Sequence, residues 1–175
     1  MIPIKIDGKK YSIKAINQLT TAEFIELSKV PELDIIKYIS WQTGTEAFFA
    51  EVSRTVEKAI GVVPDISLLP KPKWPDYSKL IFTLGQRHQI ENSGLTGYEL
   101  LVFVLAVSQA RSLNIDDVNK LRYSYLNMPF TEILPAGFFF YKILRTGKKP
   151  GRVFLRRLRA RINMQLKSSK QALKD

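Results

Sequence analysis

The chain has 175 residues, of which 45% are hydrophobic, and a formal net charge of +11. This length suits one domain or two small ones with a real core, and the hydrophobic content argues against a disordered chain. The absence of cysteine excludes disulfides, thiolate metal sites and cysteine nucleophiles.

The N-terminal residues predict a β-hairpin. Isoleucines alternate with other residues ahead of Asp7-Gly8, and the alternation resumes from Tyr11. Alternation on both sides of an Asp-Gly pair is the strongest short-range hairpin signal. We therefore expect strands near residues 2–6 and 10–14.

A helix is predicted directly after the hairpin. Thr20 and Glu23 have the spacing of a capping box, in which each side chain binds the free backbone N–H of the other residue. Leu19 and Phe24 lie at the two positions of a hydrophobic staple. The helix should run to about Lys29.

Two further helices are expected before the helical pattern is interrupted at residue 61. One fits residues 32–42, where apolar residues recur at helical spacing. Another capping box, formed by Thr43 and Glu46, should open a helix that ends near Ile60.

Residues 61–79 interrupt the helical pattern and contain four of the nine prolines. We interpret them as an extended connection between halves, with an ordered loop inside one domain as the alternative. The predicted organisation is an N-terminal unit at 1–60, this connection, a helical core at 80–147 and a C-terminal segment at 148–175. A single domain is again the alternative.

The helical core should begin with a short helix near 77–86. A capping box at Thr96 and Glu99 then predicts a helix to about Ser112. Its residues 100–107 are apolar without interruption. Because this stretch is apolar on every face, we expect it to be the central, buried helix.

Two more helices complete the predicted body. Asn114 with Asp117 should start a helix that runs to about Leu126. Pro135 suits the first turn of a helix that ends near Arg145. The predicted fold class is α+β and mostly α-helical: an N-terminal β-hairpin, a bundle-like helical body and a basic amphipathic C-terminal helix.

The last 28 residues, 148–175, hold +9 of the net charge of +11. On a helical wheel these residues are amphipathic, with apolar and basic side chains on opposite faces. The apolar stripe, a candidate docking surface, comprises Phe154, Leu155, Leu158, Ile162 and Leu166. The candidate contacts for an anionic partner are Arg152, Arg156, Arg157, Arg159, Arg161, Lys167 and Lys170.

Three interpretations of this basic tail stay open. It is a terminal helix packed on its own domain with a solvated basic face. Alternatively, residues 148–174 bind nucleic acid or an acidic protein surface, because guanidinium groups bind phosphate and carboxylate bidentately. The third interpretation, a helix lying on a membrane surface, ranks last because the stripe lacks tryptophan.

The residues do not indicate an enzyme. The single histidine, His88, follows Arg87 and suits the surface or a packing position. Asp116 and Asp117 are explained by helix capping, and none of the common nucleotide-binding, hydrolase or metalloprotease motifs is present. We expect no catalytic residue, no cofactor and no metal site.

The sequence predicts neither export nor a membrane span. The N-terminal residues lack the apolar core of a signal peptide. The longest apolar run, residues 100–107, has eight residues, whereas a helix that crosses a bilayer needs roughly 20.

The run KIDGKKYSIKAINQLTTAEFIEL, residues 5–27, resembles the opening of small proteins encoded in the structural gene clusters of tailed bacteriophages. These include tail assembly chaperones and minor virion or baseplate-associated proteins. The run LNMPFTEILPAGFFFYKIL, residues 126–144, is similar in style to helical segments of the same proteins. The resemblance covers residues 1–40 and 97–144 and does not extend to the basic tail.

This resemblance implies a non-enzymatic structural or assembly protein that contacts other phage structural proteins. It would reside in the virion, or in the host cytoplasm during assembly. The alternative, which comes from the residues themselves, is a nucleic-acid-binding protein that uses the basic tail.

Overall fold

The computed structural model describes residues 1–45, 54–70, 72–76 and 82–146. In these ranges the chain forms β1 (Ile2–Ile6), β2 (Lys9–Ile13), α1 (Thr21–Leu27), α2 (Ile35–Thr43), α3 (Arg54–Ile60), α4 (Leu84–Glu91), α5 (Gly97–Gln109), α6 (Ile115–Leu126) and α7 (Phe130–Thr146). Short 3-10 turns lie at Ile16–Gln18 and Ile66–Leu68. The predicted class, mostly helical α+β with an N-terminal hairpin, is confirmed. The predicted C-terminal helix lies outside the described residues.

The hairpin forms where the sequence predicts it. Asp7 and Gly8 have φ angles of 47° and 81°, and a two-residue type I′ turn requires positive values at both positions. From such a turn outward, hydrogen-bonded and non-hydrogen-bonded pairs alternate along the strands. Pro3, opposite Ser12, falls in a non-hydrogen-bonded pair. Its missing N–H therefore removes no bond from the sheet.

The capping box at the start of α1 is confirmed. The Thr20 hydroxyl accepts a hydrogen bond from the Glu23 backbone N–H at 3.2 Å, and the Glu23 carboxylate accepts one from the Thr20 N–H at 2.8 Å. The helix ends at Leu27 instead of Lys29. The N–H of Lys29 donates to the carbonyl three residues earlier, which tightens the chain into a turn.

The start of α2 lies three residues later than predicted. Asp34 is its cap, because its carboxylate accepts the Lys37 N–H at 2.7 Å. Gly44, with a φ of 67°, ends the helix in the left-handed conformation that favours glycine.

The capping role predicted for Thr43 is wrong. Thr43 is the last residue of α2, and its hydroxyl donates to the Ile39 carbonyl at 2.9 Å. Glu46 and the predicted start of the third helix lie outside the described residues. The described part of that helix, α3, ends at Ile60 as predicted.

The described part of the helix predicted near 77–86 differs from the prediction. Residues 77–81 lie outside the described part, Thr83 is not helical, and α4 runs from 84 to 91. Thr83 and Gln86 form a capping box: the Gln86 N–H donates to the Thr83 hydroxyl at 3.2 Å, and the Thr83 N–H donates to the Gln86 side chain at 2.9 Å. This box sets the start of the helix.

The capping box predicted at Thr96 is also wrong. Thr96 precedes α5, but its side chain makes no capping hydrogen bond. Glu99 instead pairs with Lys29 of the α1 region at 3.3 Å. The helix ends at Gln109 because Ala110 is extended. Residues 101–108 are all buried, so the prediction of a central buried helix is confirmed.

The α6 helix begins and ends as predicted. By contrast, Pro135 lies in the interior of α7 and not in its first turn. The start of α7 is fixed by an antiparallel bridge to the start of α1. The Phe130 N–H donates to the Leu19 carbonyl at 3.3 Å, and the Thr21 N–H donates to the Met128 carbonyl at 2.8 Å.

The core is built around α5 and α7, which pack together most extensively. A Cβ atom added to Gly137 of α7 would lie 2.4 Å from the Leu101 carbonyl oxygen, so glycine permits this close approach. Phe24 of α1 stacks on Phe130 of α7 with ring centroids 4.0 Å apart. One cluster of buried residues joins these helices to Ile13 of the hairpin. The division of the chain into domains stays a prediction.

The described part of the proline-rich connection packs on α5 and α6. The Trp74 ring lies 5.3 Å from the Tyr125 ring of α6. The Asp76 N–H donates to the Gln109 side chain of α5 at 2.8 Å. These two contacts hold the connection against the helical body.

Candidate protein-interaction surface

Three large aliphatic side chains are exposed at the starts of α4 and α6. Leu84, Leu113 and Ile115 expose 86%, 52% and 49% of their surface. Leu84 opens α4, Leu113 lies in the loop between α5 and α6, and Ile115 opens α6. Scattered exposed apolar residues are ordinary, whereas a cluster of them marks an interaction site. We call these three side chains the aliphatic patch.

Close packing between α4 and the α5–α6 loop brings Leu113 beside Leu84, and Ile115 follows Leu113 by two residues. A Cβ atom added to Gly85 would lie 2.7 Å from Cδ1 of Leu113, so the Leu113 side chain rests on the backbone beside Leu84. The Gln86 side-chain amide donates to the Val107 carbonyl at 3.0 Å, which holds α4 against the end of α5.

Hydrogen bonds also order the loop that presents the patch. The Ser112 hydroxyl donates to the Asp117 carboxylate at 2.6 Å and accepts the Asn114 N–H at 3.2 Å. The Asn114 side chain in turn accepts the Asp116 N–H at 2.9 Å, which caps α6. The patch is therefore part of a firmly held surface.

The rim of the patch carries charges of both signs. Arg87 lies one helical turn after Leu84, and Arg111 lies in the loop two residues before Leu113; both side chains are exposed. Asp116 is exposed and Asp117 is half-buried in the first turn of α6. An apolar centre with a polar, charged rim is the usual anatomy of a protein–protein interface.

A groove of about 700 Å³ lies between α2, α3 and the start of the connection. Tyr38 and Ile60 are among its lining residues, and Val62 at its edge is 86% exposed. The Tyr38 hydroxyl donates to the Lys14 carbonyl at 2.8 Å. Burial, and secondly the charge of Glu23, raises the pKa of Tyr38 to about 12. This hydroxyl therefore stays protonated near neutral pH and offers no base.

The exposed face of the hairpin carries an uncompensated pair of cations. Lys5 lies directly opposite Lys10, and both are exposed. Neither forms an ion pair within the described residues, whereas nearby Lys14 pairs with Glu23. Like charges directly opposite each other destabilise a sheet, although lysines also protect open strand edges from unwanted pairing. The hairpin thus presents a positive face.

The site residues predicted on the basic tail cannot be compared with this surface. The seven cations between positions 152 and 170 and the five apolar side chains between 154 and 166 lie outside the described residues. Their roles stay predictions.

The acids considered as catalytic residues, Asp116 and Asp117, lie in the first turn of α6. His88 is exposed, as predicted, with its ring nitrogens 3.0 and 3.1 Å from the Asn92 side-chain amide. Across the described ranges, no three His, Asp or Glu side chains gather as a metal site would require. No helix in those ranges combines the length and the apolar character needed to cross a membrane.

Sequence reasoning missed the aliphatic patch. A helix near 77–86 would have placed Leu84 in a final turn, whereas the structure places it at the exposed first position of α4. The signal that marks this start is the Thr83-x-x-Gln86 spacing, a capping box with glutamine in place of glutamate.

No protein-family model matches the chain, and no curated protein or solved structure is similar to it at a significant level.

Proposed function

We propose that this chain is a non-enzymatic structural or assembly protein of a tailed bacteriophage that acts through protein–protein contacts. The observation that carries the proposal is the aliphatic patch, whose three side chains are each about half exposed or more. Apolar surface left in water gains about 25 cal/mol per Å² when a partner covers it. The resemblance of residues 5–27 and 126–144 to phage structural proteins supplies the biological setting.

The polar groups around the patch support a role in contacts. Ser112 and Asn114 order the loop, and the box at Thr83 fixes the start of α4. The hydrogen bonds of these groups fix the conformation of the surface. An interface whose conformation is fixed before binding favours association with a partner.

Mass spectrometry of purified particles, assembled from the phage genome that encodes this chain, tests the proposal. We expect the chain at a defined copy number in the particle, or bound to a tail or baseplate precursor. A stable monomer that co-purifies with no particle or tail protein would contradict the proposal.

The second candidate function is nucleic-acid binding. The observation in its favour is the Lys5–Lys10 pair, which adds an exposed positive face to the charge of residues 148–174. Phosphate binding by lysine releases counterions, so affinity should fall steeply as salt rises.

Titration of a duplex DNA fragment at several salt concentrations tests this candidate. Replacing Lys5 and Lys10 with Gln should reduce the log–log salt slope by about 2. The control replaces Lys29 and Lys37, which already pair with acids. Deleting residues 148–175 should abolish binding, and unchanged binding after deletion would exclude the tail as the contact.

A further inference from the structure

We infer that the aliphatic patch is a two-fold interface between two copies of this chain. The inference rests on the proposed function, because it names the partner of the surface that carries it. A two-fold axis brings the same patch of both copies together, so the surface must be complementary to itself.

The composition of the patch meets this requirement. Its centre is aliphatic, so two centres can cover each other. Its rim holds two cations, Arg87 and Arg111, and two anions, Asp116 and Asp117. Each copy can therefore set its cations against the anions of the other copy, whereas a rim of one sign would repel its own image.

Arg87, Arg111 and Asp116 are exposed, whereas the Asp117 carboxylate also accepts a hydrogen bond from the Ser112 hydroxyl. Among the described residues, the ion pairs involve Lys14, Lys29 and Lys37 with their acids, and none involves a rim residue. A neutral rim matters for this chain because its net charge of +11 opposes the approach of a second copy. That repulsion is long-range, and physiological salt screens it beyond about 8 Å.

Two copies also need little rearrangement to associate. Leu113 rests on Gly85, and the hydrogen bonds of Gln86 and Ser112 hold both sides of the patch. A surface that is already ordered loses little conformational entropy when it binds.

Sedimentation equilibrium of the full-length protein at low and high salt tests the inference. We expect a reversible dimer at both salt concentrations, because salt screens the rim pairs and the net repulsion alike but leaves the contact between the aliphatic centres in place. Leu84→Ser should weaken the dimer at least roughly tenfold, since the side chain is buried twice across the axis. Leu68→Ser is the matched control, because Leu68 is 60% exposed on the 3-10 turn outside the patch.

A charge exchange tests the two-fold symmetry itself. An acidic-rim variant, Arg87→Glu with Arg111→Glu, and a basic-rim variant, Asp116→Lys, should each dimerise poorly alone. Mixed together, they should form a heterodimer. A wild-type protein that remains monomeric at every concentration, or an equal loss in Leu84→Ser and Leu68→Ser, would overturn the inference.

Different results would contradict the two-fold interface and the proposed function. A monomer whose Leu84→Ser variant is lost from particles would show that the patch binds a different protein, which overturns the inference and leaves the proposed function standing. A dimer that is found in no particle or precursor would leave the inference standing and contradict the proposed function.

Discussion

At the residue scale, close backbone approaches decide which glycines are required. A Cβ atom at Gly137 would meet the Leu101 carbonyl oxygen at 2.4 Å, so the backbone of one of the two helices would have to shift. Gly137→Ala should therefore lower the free energy of unfolding by about 1–3 kcal/mol, despite the better helix propensity of alanine. Gly85→Ala is the control, because its one close contact, at 2.7 Å, is with the flexible end of the Leu113 side chain. Equal losses in urea unfolding would contradict this assignment.

The Glu23 carboxylate should make stability depend on pH. Burial raises its pKa, but hydrogen bonds from Lys14 and Thr20 outweigh burial, so the pKa lies below the ordinary value of 4.5. A group whose pKa is lowered by folding stabilises the folded state when it is ionised. This contribution is complete above pH 4.5 and is lost as the pH falls through the lowered folded-state pKa.

Glu23→Gln tests this dependence, because glutamine can still cap the helix but carries no charge. As the pH falls below 4.5, the free energy of unfolding should decrease less in the variant than in the wild type. Urea unfolding at several pH values measures this difference. Glu91→Gln, on the exposed end of α4, is the control. A wild-type profile in the Glu23 variant would show that the carboxylate does not stabilise the fold.

At the scale of elements, the sequence predicts the hairpin, α1, α6 and the buried character of α5, because each depends on local turn chemistry or on unbroken apolar runs. The capping-box spacing predicted the hydrogen bonds at Thr20 correctly but those at Thr96 wrongly. Glu99 is drawn to Lys29, a tertiary partner that no local pattern reveals. The start of α7 depends on a bridge between Thr20 and Pro129, which are distant in the chain. The aliphatic patch depends on where two helices begin, so an error in one boundary conceals it.

The two threonines at predicted caps should respond differently to substitution. Thr20 accepts a capping hydrogen bond and Thr96 does not. Thr20→Ala should therefore lower the free energy of unfolding by about 1 kcal/mol, whereas Thr96→Ala should change it little. Thermal or urea unfolding of both variants gives the comparison, and similar losses would mean that the capping contacts are not what stabilises α1.

At the scale of the whole molecule, charge and apolar surface are separated along the chain. Residues 1–147 carry a formal charge of only +2, and 148–175 carry +9. The aliphatic patch belongs to the nearly neutral part of the sequence. A dimer formed through the patch would carry two basic tails, and two linked sites bind a polyanionic or acidic surface more tightly than one.

Under the proposed function, the aliphatic patch connects this chain to an assembly. The most direct measurement is the copy number of Leu84→Ser and Leu68→Ser chains in purified particles, determined by quantitative mass spectrometry. Both variants should fold, because each replaces an exposed side chain. We predict that Leu84→Ser is depleted from particles while Leu68→Ser is retained at the wild-type level. Equal retention of both chains would show that the patch is not what holds the chain in the particle.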